Sequence, residues 1–491
     1  MPVISDKEKQ LKNSFIYLIL QGINSVLPII AISIFTRILT REDYGVLALV
    51  QAYAIFASGL ANFGMLPAYS RNYFQYRMDK VKLAQLLYST LGFVIFTSFI
   101  FGFLTYFLRS EIAEFIVGST EYGNLIVLAF CSQSLYGFIF YYLTYFKNSE
   151  NAIEYGKYII AFTSLNFFFA LLFVGFFRVG VIGLIYAHLL AGIIVFCFVS
   201  LIMIKKLSPA FSTKILRESI LLGYPLTPRI FLGVINSQFD KYMIGVFATL
   251  GAVGIYGVGQ RLANGAFAFV TAIQNVFFPQ VYKKMFDYGE NGGEEVGRYL
   301  TPFAYICLLP AFFIALFAEE IISVITPPEF HGAIPIVTIL ALFYGCLFFG
   351  KQPQLVYAKK TYITSLLSFV SVGMNIGINI PFILRWGAIG AAWATLLAGL
   401  LSGILSFIVS QHYYRIGWEY KKIGAMYSIF FCGALTVLFL HHFFIGYEAR
   451  LLVKILFLSF YLLLGVKLRV LTKDNFQFIV KMIRSKINKG G

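Results

Sequence analysis

The sequence predicts an all-α protein that crosses a membrane about fourteen times. Its 491 residues are 59% hydrophobic and only 12% charged, whereas a soluble domain carries about 25% charged residues. Apolar runs of about 20 residues recur along the chain, and each is long enough to cross a hydrocarbon core of about 30 Å. The sequence lacks the segments of about ten residues with alternating polarity that are typical of a membrane β-barrel.

The predicted spans are joined by short loops. They lie near 13–36, 44–69, 83–108, 124–146, 158–177, 181–204, 219–246, 253–281, 298–318, 333–356, 362–384, 387–411, 423–444 and 451–471. No loop is large enough for a catalytic domain, so we expect that the protein is not an enzyme. GxxxxGK[ST] and HExxH motifs are absent, and the cysteines lie inside apolar runs without metal-ligand spacing. We therefore expect no metal and no cofactor.

The 39 Lys and Arg residues are distributed unevenly between the two sides of the membrane. If the N-terminus is cytoplasmic, most of them lie in cytoplasmic segments. The outer loops are then acidic, as at Glu111, Glu114, Glu319 and Glu320. The positive-inside rule therefore predicts that both termini are cytoplasmic. The formal charge of +17 follows from this topology and from attraction to anionic lipid headgroups, so nucleic acid is not an expected partner.

The sequence contains an internal repeat. RVGVIGLIYAHLLAG (178–192) and RWGAIGAAWATLLAG (385–399) share their arginine and several glycines in register, and YGV recurs at 44–46 and 256–258 at nearly the same offset. Both halves enter the membrane in the same direction, as in transporters whose two parallel repeats expose a central site alternately to each side. The expected parts are an N-lobe with six helices at 1–208, a C-lobe with six helices at 209–415, and two extra helices with a basic tail at 416–491.

Polar side chains interrupt several of the predicted spans. On the seventh span, Arg229, Asn236 and Asp240 share one helical face with Gly233. On the second span, the shared face carries Gln51, Ser58, Asn62 and Tyr69. We predict that such faces line a water-filled path through the membrane. The candidate cavity-lining residues are Gln21, Asn24, Gln51, Asn62, Asn236, Asn264 and Asn275.

The charges inside the spans are mostly positive, with the cations Arg229, Lys241, Arg261 and Lys454 against the acid Asp240. A charge at bilayer depth costs at least about 2.5–3.5 kcal/mol, so it usually faces a cavity or a partner. The excess of cations predicts an anionic substrate, and the arginine fork suits phosphate. We predict that Arg229, Arg261 and Lys241 bind this anion.

Structural alternatives remain open for these charges. Asp240 and Arg261 could form an ion pair, and Lys241 could extend towards the membrane surface. Arg229 could bond backbone carbonyls freed around Pro225 and Pro228. Asp240 is also a candidate for coupling transport to H⁺ or Na⁺.

Long stretches of the chain resemble bacterial polysaccharide flippases. SQFDKYMIGVFATLGAVGIYGVGQRLA (237–263) is similar to their region of helices seven and eight, where an Asp and a basic residue precede Gly-Xaa-Tyr and another basic position. NIGINIPFILRWGAIGAAWATLLAG (375–399) and TRILTREDYGVLALVQAY (36–53) are similar to the region of helices eleven and twelve and to that of helices one and two. The resemblance covers essentially the whole chain. It implies the MATE-like fold of the multidrug/oligosaccharidyl-lipid/polysaccharide exporters, in which two six-helix lobes form a V around a cavity.

The resemblance also implies a substrate, a sugar repeat unit on undecaprenyl diphosphate. Such a flippase moves it by alternating access to the outer leaflet of the bacterial inner membrane, for O-antigen, capsule or exopolysaccharide synthesis. Arg229, Arg261 and Lys241 would then hold the diphosphate, and membrane lipids and a polysaccharide polymerase complex are implied partners. The alternatives are a lipid II flippase, a multidrug cation antiporter of the same fold and a non-transporting scaffold.

Overall fold

The computed structural model describes residues 27–349, 353–443, 446–468 and 470. Within these ranges the regular structure is helical, and 10 helical stretches are long and apolar enough to cross a membrane. The predicted all-α protein with many spans is confirmed. Its first predicted span lies mostly outside the described residues.

The chain divides into two compact units, Met1–Gly257 and Val258–Gly491. The helices of the first are α1 (27–35 as far as described), α2 (Arg41–Ala61), α3 (Met65–Tyr76), α4 (Lys80–Phe107), α5 (Arg109–Val117), α6 (Gly123–Asn148), α7 (Ala152–Ala170), α8 (Ile182–Lys206), α9 (Thr213–Gly223), α10 (Thr227–Phe247) and the start of α11 (Leu250–Tyr288). Those of the second are the rest of α11, α12 (Gly293–Leu316), α13 (Ala318–Ile325), α14 (Ala333–Cys346), α15 (Pro353–Tyr357), α16 (Thr361–Tyr413), α17 (Tyr420–His442) and α18 (Tyr447–Lys467). The lobe boundaries predicted from the repeat stay a prediction.

The second predicted span is broken near its end and the seventh near its start. Residues 62–64 separate α2 from α3, because Phe63 and Gly64 take left-handed backbone with φ of 48° and 66°. A 3₁₀ turn at Tyr224–Leu226 separates α9 from α10. The two breaks touch, since a Cβ on Gly64 would lie 2.2 Å from the carbonyl oxygen of Gly223. Only glycine allows the two backbones to approach this closely.

The two copies of the sequence repeat share a backbone feature. Gly180 and Gly387, which the alignment pairs, both have positive φ, at 75° and 56°. Gly183 and Gly390 follow at the same spacing, and a Cβ on them would come within 3.0 and 2.0 Å of the helical segment before each. Both copies therefore place a glycine with positive φ and a closely packed glycine at the same two positions of the repeat.

The break at Gly387 also explains the length of α16. Its 53 residues would extend about 80 Å as one straight helix, far more than a hydrocarbon core of about 30 Å. Gly387 has non-helical φ and ψ of 56° and −135°, so the helix is divided there. The division falls between the predicted spans 362–384 and 387–411.

Contacts inside each unit agree with the predicted alternation of loops. In the first unit, the hydroxyl of Tyr88 near the start of α4 donates to the carbonyl oxygen of Leu207 at 2.9 Å. In the second, the N–H of Gly417, between α16 and α17, donates to the carbonyl oxygen of Gly293 at 2.9 Å. Each bond joins two segments that the span count places on one side of the membrane.

Candidate functional site

The predicted cavity residues lie mainly on α2, α10 and α11. Gln21 and Asn24 lie outside the described residues, as do the side chains of Arg229 and Asn275 on α10 and α11. Three other predicted residues are exposed, as a cavity lining requires; these are Asn236, Arg261 and Asn264. A Cβ on Gly233 would meet nothing within 4 Å, so the surface of α10 is open at this position, and the role of its face as a cavity lining stays a prediction.

Asp240 is buried rather than open to a cavity. Its exposed fraction is 3%, and its Oδ2 accepts a hydrogen bond from the hydroxyl of Tyr256 at 3.0 Å. Tyr256 belongs to the second YGV motif and is fully buried. The bond ties α10 to the start of α11 within the first unit. The predicted ion pair with Arg261 would join residues of the two units and stays a prediction.

Lys241 is held against its own helix. Its ammonium group donates to the side-chain carbonyl of Gln238, one turn earlier on α10, at 2.9 Å. The residue is half-buried. Its role in binding an anion stays a prediction.

Asn62 differs from its predicted role. Its side-chain oxygen accepts hydrogen bonds from the N–H of Leu66 at 3.1 Å and from the hydroxyl of Tyr141 at 3.4 Å. It therefore stabilises the break between α2 and α3. Tyr69, predicted on the same face, is fully buried, because the left-handed residues between the two helices change the helical register.

Glycines bring the start of α2 against the start of α11. A Cβ on Gly45 would lie 1.9 Å from the carbonyl oxygen of Leu250, and a Cβ on Gly254 would lie 1.9 Å from that of Arg41. In both contacts a glycine lies against a backbone carbonyl group of the other helix, and all four residues belong to the first unit. The sequence marks Gly45 as part of a repeat, but it does not indicate this contact.

A cavity of about 10 Å³, roughly the space of one water molecule, lies between α2 and α10. Its lining consists of Phe56, Gly59, Leu60, Thr227, Ile230, Phe231 and Val234. It is smaller than typical ligand pockets of about 300–1,000 Å³, and it is almost entirely apolar. It does not suit a sugar or a phosphate group.

The sequence reading missed a polar cluster that joins α3 and α9. The hydroxyl of Tyr76 donates to Glu218 Oε2 at 2.7 Å, and the Asn72 amide donates to Ser219 Oγ at 3.2 Å. Burial and the bond to Glu218 raise the pKa of Tyr76 to about 12, so this phenol remains a donor at neutral pH. The signal available in the sequence was Glu218, a single acidic residue directly after the basic Arg217.

Lys454 also differs from its predicted place among the cavity cations. Its side chain is fully buried, and its ammonium lies 2.7 Å from Glu319 Oε2 and 2.7 Å from Glu320 Oε1. Arg450 pairs with Glu319 as well. Both acids belong to α13 and both bases to α18, so the cluster fastens the last helix to the second unit. Lys454 is therefore neutralised by its partners and does not contribute to a cationic lining.

We expect Lys454→Met to destabilise the second unit by about 3 kcal/mol, because the change leaves two carboxylates short of a partner. The Tm in detergent, followed by the reactivity of buried cysteines, should fall by several degrees. Lys467→Met is the matched control, because it removes an exposed lysine from the same helix. Equal Tm values for the two variants would show that the cluster does not hold α18.

The stability that this cluster provides should depend on pH. Burial alone would raise the pKa of Glu319, but the hydrogen bonds and charges of Arg450 and Lys454 outweigh it and lower the pKa below its usual 4.5. A carboxyl group whose pKa is lower in the folded state stabilises the protein at pH values above its unfolded-state pKa. This stabilisation is lost as the pH falls through the folded-state pKa. The Tm difference between wild type and Glu319→Gln should thus be full above about pH 5 and should shrink below about pH 4. A pH-independent difference would contradict this.

Comparison with known proteins matches the chain to a family of polysaccharide biosynthesis proteins. The profile of a family described as polysaccharide biosynthesis protein matches residues 34–335, more than half of the chain. A probable low-salt glycan biosynthesis flippase of Haloferax volcanii is 28% identical over 198 residues, which are 39% of this chain and 41% of that protein. The match thus spans less than half of that relative. An uncharacterized membrane protein of Methanocaldococcus jannaschii is 24% identical over 358 residues, or 65% of this chain and 67% of that protein.

Solved transporters share the fold. The lipid II flippase MurJ, in an inward closed conformation, superposes with a TM-score of 0.69 at 16% identity, covering 93% of this chain and 99% of that one. An inward-facing multidrug resistance MATE family transporter of the MOP superfamily superposes with a TM-score of 0.63 at 15% identity. The match covers 81% of this chain and 97% of that one. Identities this low establish the fold alone. They confirm the predicted MATE-like fold.

Proposed function

Because the chain belongs to the polysaccharide biosynthesis protein family, we propose that it is a flippase that moves a lipid-linked glycan across the membrane. The observation that carries the proposal is this family match over more than half of the chain. The polar and cationic composition of α10 supports it, because a glycan linked to lipid through phosphate offers sugars and negative charge. The Haloferax volcanii relative, a probable glycan biosynthesis flippase, agrees with it.

The proposed substrate is an oligosaccharide repeat unit on undecaprenyl diphosphate, made for O-antigen, capsule or exopolysaccharide. Arg229, Arg261 and Lys241 bind the diphosphate, while exposed polar groups such as Asn236 and Asn264 contact the sugars. The lipid tail stays in the bilayer. A polysaccharide polymerase complex receives the flipped unit outside.

The proposed transport cycle is alternating access. About fourteen spans form two six-helix lobes in a V, with two extra helices at the C-terminus, in the bacterial inner membrane with both termini cytoplasmic. Movement of the lobes exposes the headgroup first to the cytoplasm and then outside. Asp240 couples this movement to H⁺ or Na⁺.

A lipid II flippase is the second candidate, favoured by the TM-score of 0.69 to MurJ. Both candidates carry an isoprenoid diphosphate. A multidrug antiporter for cations is disfavoured, because the predicted lining of α10 and α11 has more basic than acidic residues.

The test replaces Arg229 by Ala and by Lys in a strain whose own flippase gene is deleted. We expect Ala to abolish surface polysaccharide and Lys to restore part of it, because a cation at this depth holds the phosphate. Arg298→Ala, which removes an exposed arginine with 70% of its side chain accessible, is the control and should behave as wild type. Normal polysaccharide from Arg229→Ala, at wild-type protein level, would contradict the assignment of this residue.

A further inference from the structure

Arg71 is an exposed residue of α3, and two neutral side chains hold it in place. One nitrogen of its guanidinium, Nη1, donates to Asn72 Oδ1 at 2.8 Å and to Gln75 Oε1 at 2.6 Å. Among the described residues no carboxylate lies within ion-pair distance of Arg71. Its charge is therefore fixed in position without being neutralised.

The two supporting side chains are themselves anchored to α9. The Asn72 amide donates to Ser219 Oγ at 3.2 Å, and both residues are fully buried. The Gln75 amide donates to Glu218 Oε1 at 3.3 Å, which turns its carbonyl oxygen towards Arg71. The other oxygen of Glu218 accepts the Tyr76 hydroxyl. Both oxygens of this acid thus accept hydrogen bonds from Gln75 and Tyr76, and neither contacts Arg71 directly.

The remaining donors of Arg71 suit a phosphate group. A guanidinium has five N–H donors in one plane, and the two hydrogens of Nη1 point at the amide oxygens. The edge formed by Nε and Nη2 remains for a ligand, and this edge matches two oxygens of a phosphate in a bidentate contact. An arginine that is already oriented loses less conformational entropy on binding.

The surroundings of this edge are basic. The first turn of α4 and the first half of α9 carry the exposed residues Lys80, Lys82, Lys214 and Arg217, and Lys82 pairs with Asp79 at 3.5 Å. In the proposed topology they face the cytoplasm, where a flippase receives its substrate. Their summed positive potential attracts anionic lipid headgroups to this end of the first unit.

We propose that Arg71 is a phosphate-binding residue that receives the phosphate group of a lipid before transport, with Asn72 and Gln75 as positioning residues. This inference rests on the proposed function, and it adds a site outside the predicted lining of α10 and α11. The phosphate belongs either to the isoprenoid diphosphate of the substrate or to an anionic phospholipid, since both offer the same oxygens.

The first arm of the test uses farnesyl diphosphate, an isoprenoid diphosphate without sugar, as the probe. The full chain is placed in phosphatidylcholine nanodiscs, and the Kd is measured by calorimetry. We expect Arg71→Gln to weaken binding about tenfold or more, because a charge-assisted bidentate contact is lost. Arg71→Lys should give an intermediate Kd, because it keeps the charge without the fork. Gln75→Ala should weaken binding by a smaller factor although every cation remains.

Arg77→Gln is the matched control, because it removes one exposed positive charge from the next turn. Its Kd should stay within about twofold of the wild-type value. Equal Kd values for Arg71→Gln and wild type, together with equal retention of phosphatidylglycerol in the second arm, would overturn the site and leave the proposed function standing. Equal losses in Arg71→Gln and Arg77→Gln would overturn it too, because net charge would explain both. A wild-type chain that does not bind the probe would contradict the diphosphate as the ligand of Arg71 and as part of the substrate, and it would leave the phospholipid to be decided by the second arm.

The second arm adds phosphatidylglycerol to the nanodiscs and counts the lipids retained on the chain by native mass spectrometry. Loss of retained phosphatidylglycerol in Arg71→Gln, with an unchanged Kd for farnesyl diphosphate, would support a phosphate site but assign it to the phospholipid headgroup. If Arg71→Gln loses binding of farnesyl diphosphate but retains phosphatidylglycerol, the site is assigned to the diphosphate of the substrate. Size-exclusion profiles and Tm values that match wild type establish that every variant is folded.

Discussion

Replacing Gly45 or Gly254 by alanine is expected to prevent the native packing of α2 against the start of α11. The new Cβ would lie 1.9 Å from a backbone carbonyl oxygen in either case, about half of an ordinary van der Waals separation. A flexible side chain could turn away, but a carbonyl group inside a helix cannot. The two helices would have to separate, and we expect a loss of about 4 kcal/mol or more, the range reached when core positions are overfilled severely.

The measurement is the Tm in detergent together with the yield of monodisperse protein. Gly92→Ala is the control, because it lies in α4 and an added Cβ there meets nothing within 4 Å. Alanine favours a helix over glycine, so this control should be as stable as wild type or more so. A Tm for Gly45→Ala close to that of Gly92→Ala would show that the close contact between α2 and α11 is wrong.

Replacing Asp240 by asparagine is expected to stop transport while the protein stays folded. Asparagine has nearly the same shape, and its side-chain oxygen can still accept the hydrogen bond from Tyr256. Only the negative charge and the ability to bind a proton are lost. If Asp240 couples transport to an ion, the rate should fall by about tenfold or more, the size of a typical coupling energy.

Tyr256→Phe makes the opposite change, since it removes the hydrogen bond and keeps the carboxylate. We expect this variant to lose stability by about 1–3 kcal/mol, because Asp240 is left without this donor in a buried site, and to retain transport better than Asp240→Asn. The measurements are the Tm and the initial rate of glycan transport in proteoliposomes. If Asp240→Asn transports normally and Tyr256→Phe is the more damaged variant, Asp240 is a structural residue only.

The membrane-spanning helices could be predicted from the sequence because an apolar run of about 20 residues forms a helix that crosses the bilayer. The repeat marked Gly180 and Gly387 as equivalent positions, and both have positive φ, but the pattern alone did not indicate this backbone conformation. The break at 62–64 could not, because a helical wheel assumes one continuous helix. Asn62 was therefore placed on a lining face when it holds the junction between two helices.

Partners distant in the sequence were also missed. Lys454 and Glu319 are 135 positions apart, and Asn72 and Ser219 are 147 apart. No periodicity within one span indicates which side chain of another span lies opposite. A count of charges treated Lys454 as a free cation of the lining, whereas packing places it beside two carboxylates. The same limit concealed the orientation of Arg71, which depends on contacts between α3 and α9.

The central claim is that this chain moves a lipid-linked glycan across a membrane, and reconstitution tests it most directly. Proteoliposomes would carry a lipid-linked oligosaccharide with a fluorescent sugar, and an impermeant reductant added outside would report which headgroups are accessible. We predict that the wild-type chain makes the inner headgroups accessible faster than protein-free liposomes do, and that Arg229→Ala does not. A folded wild-type chain that leaves the inner headgroups protected at the protein-free rate would contradict the claim.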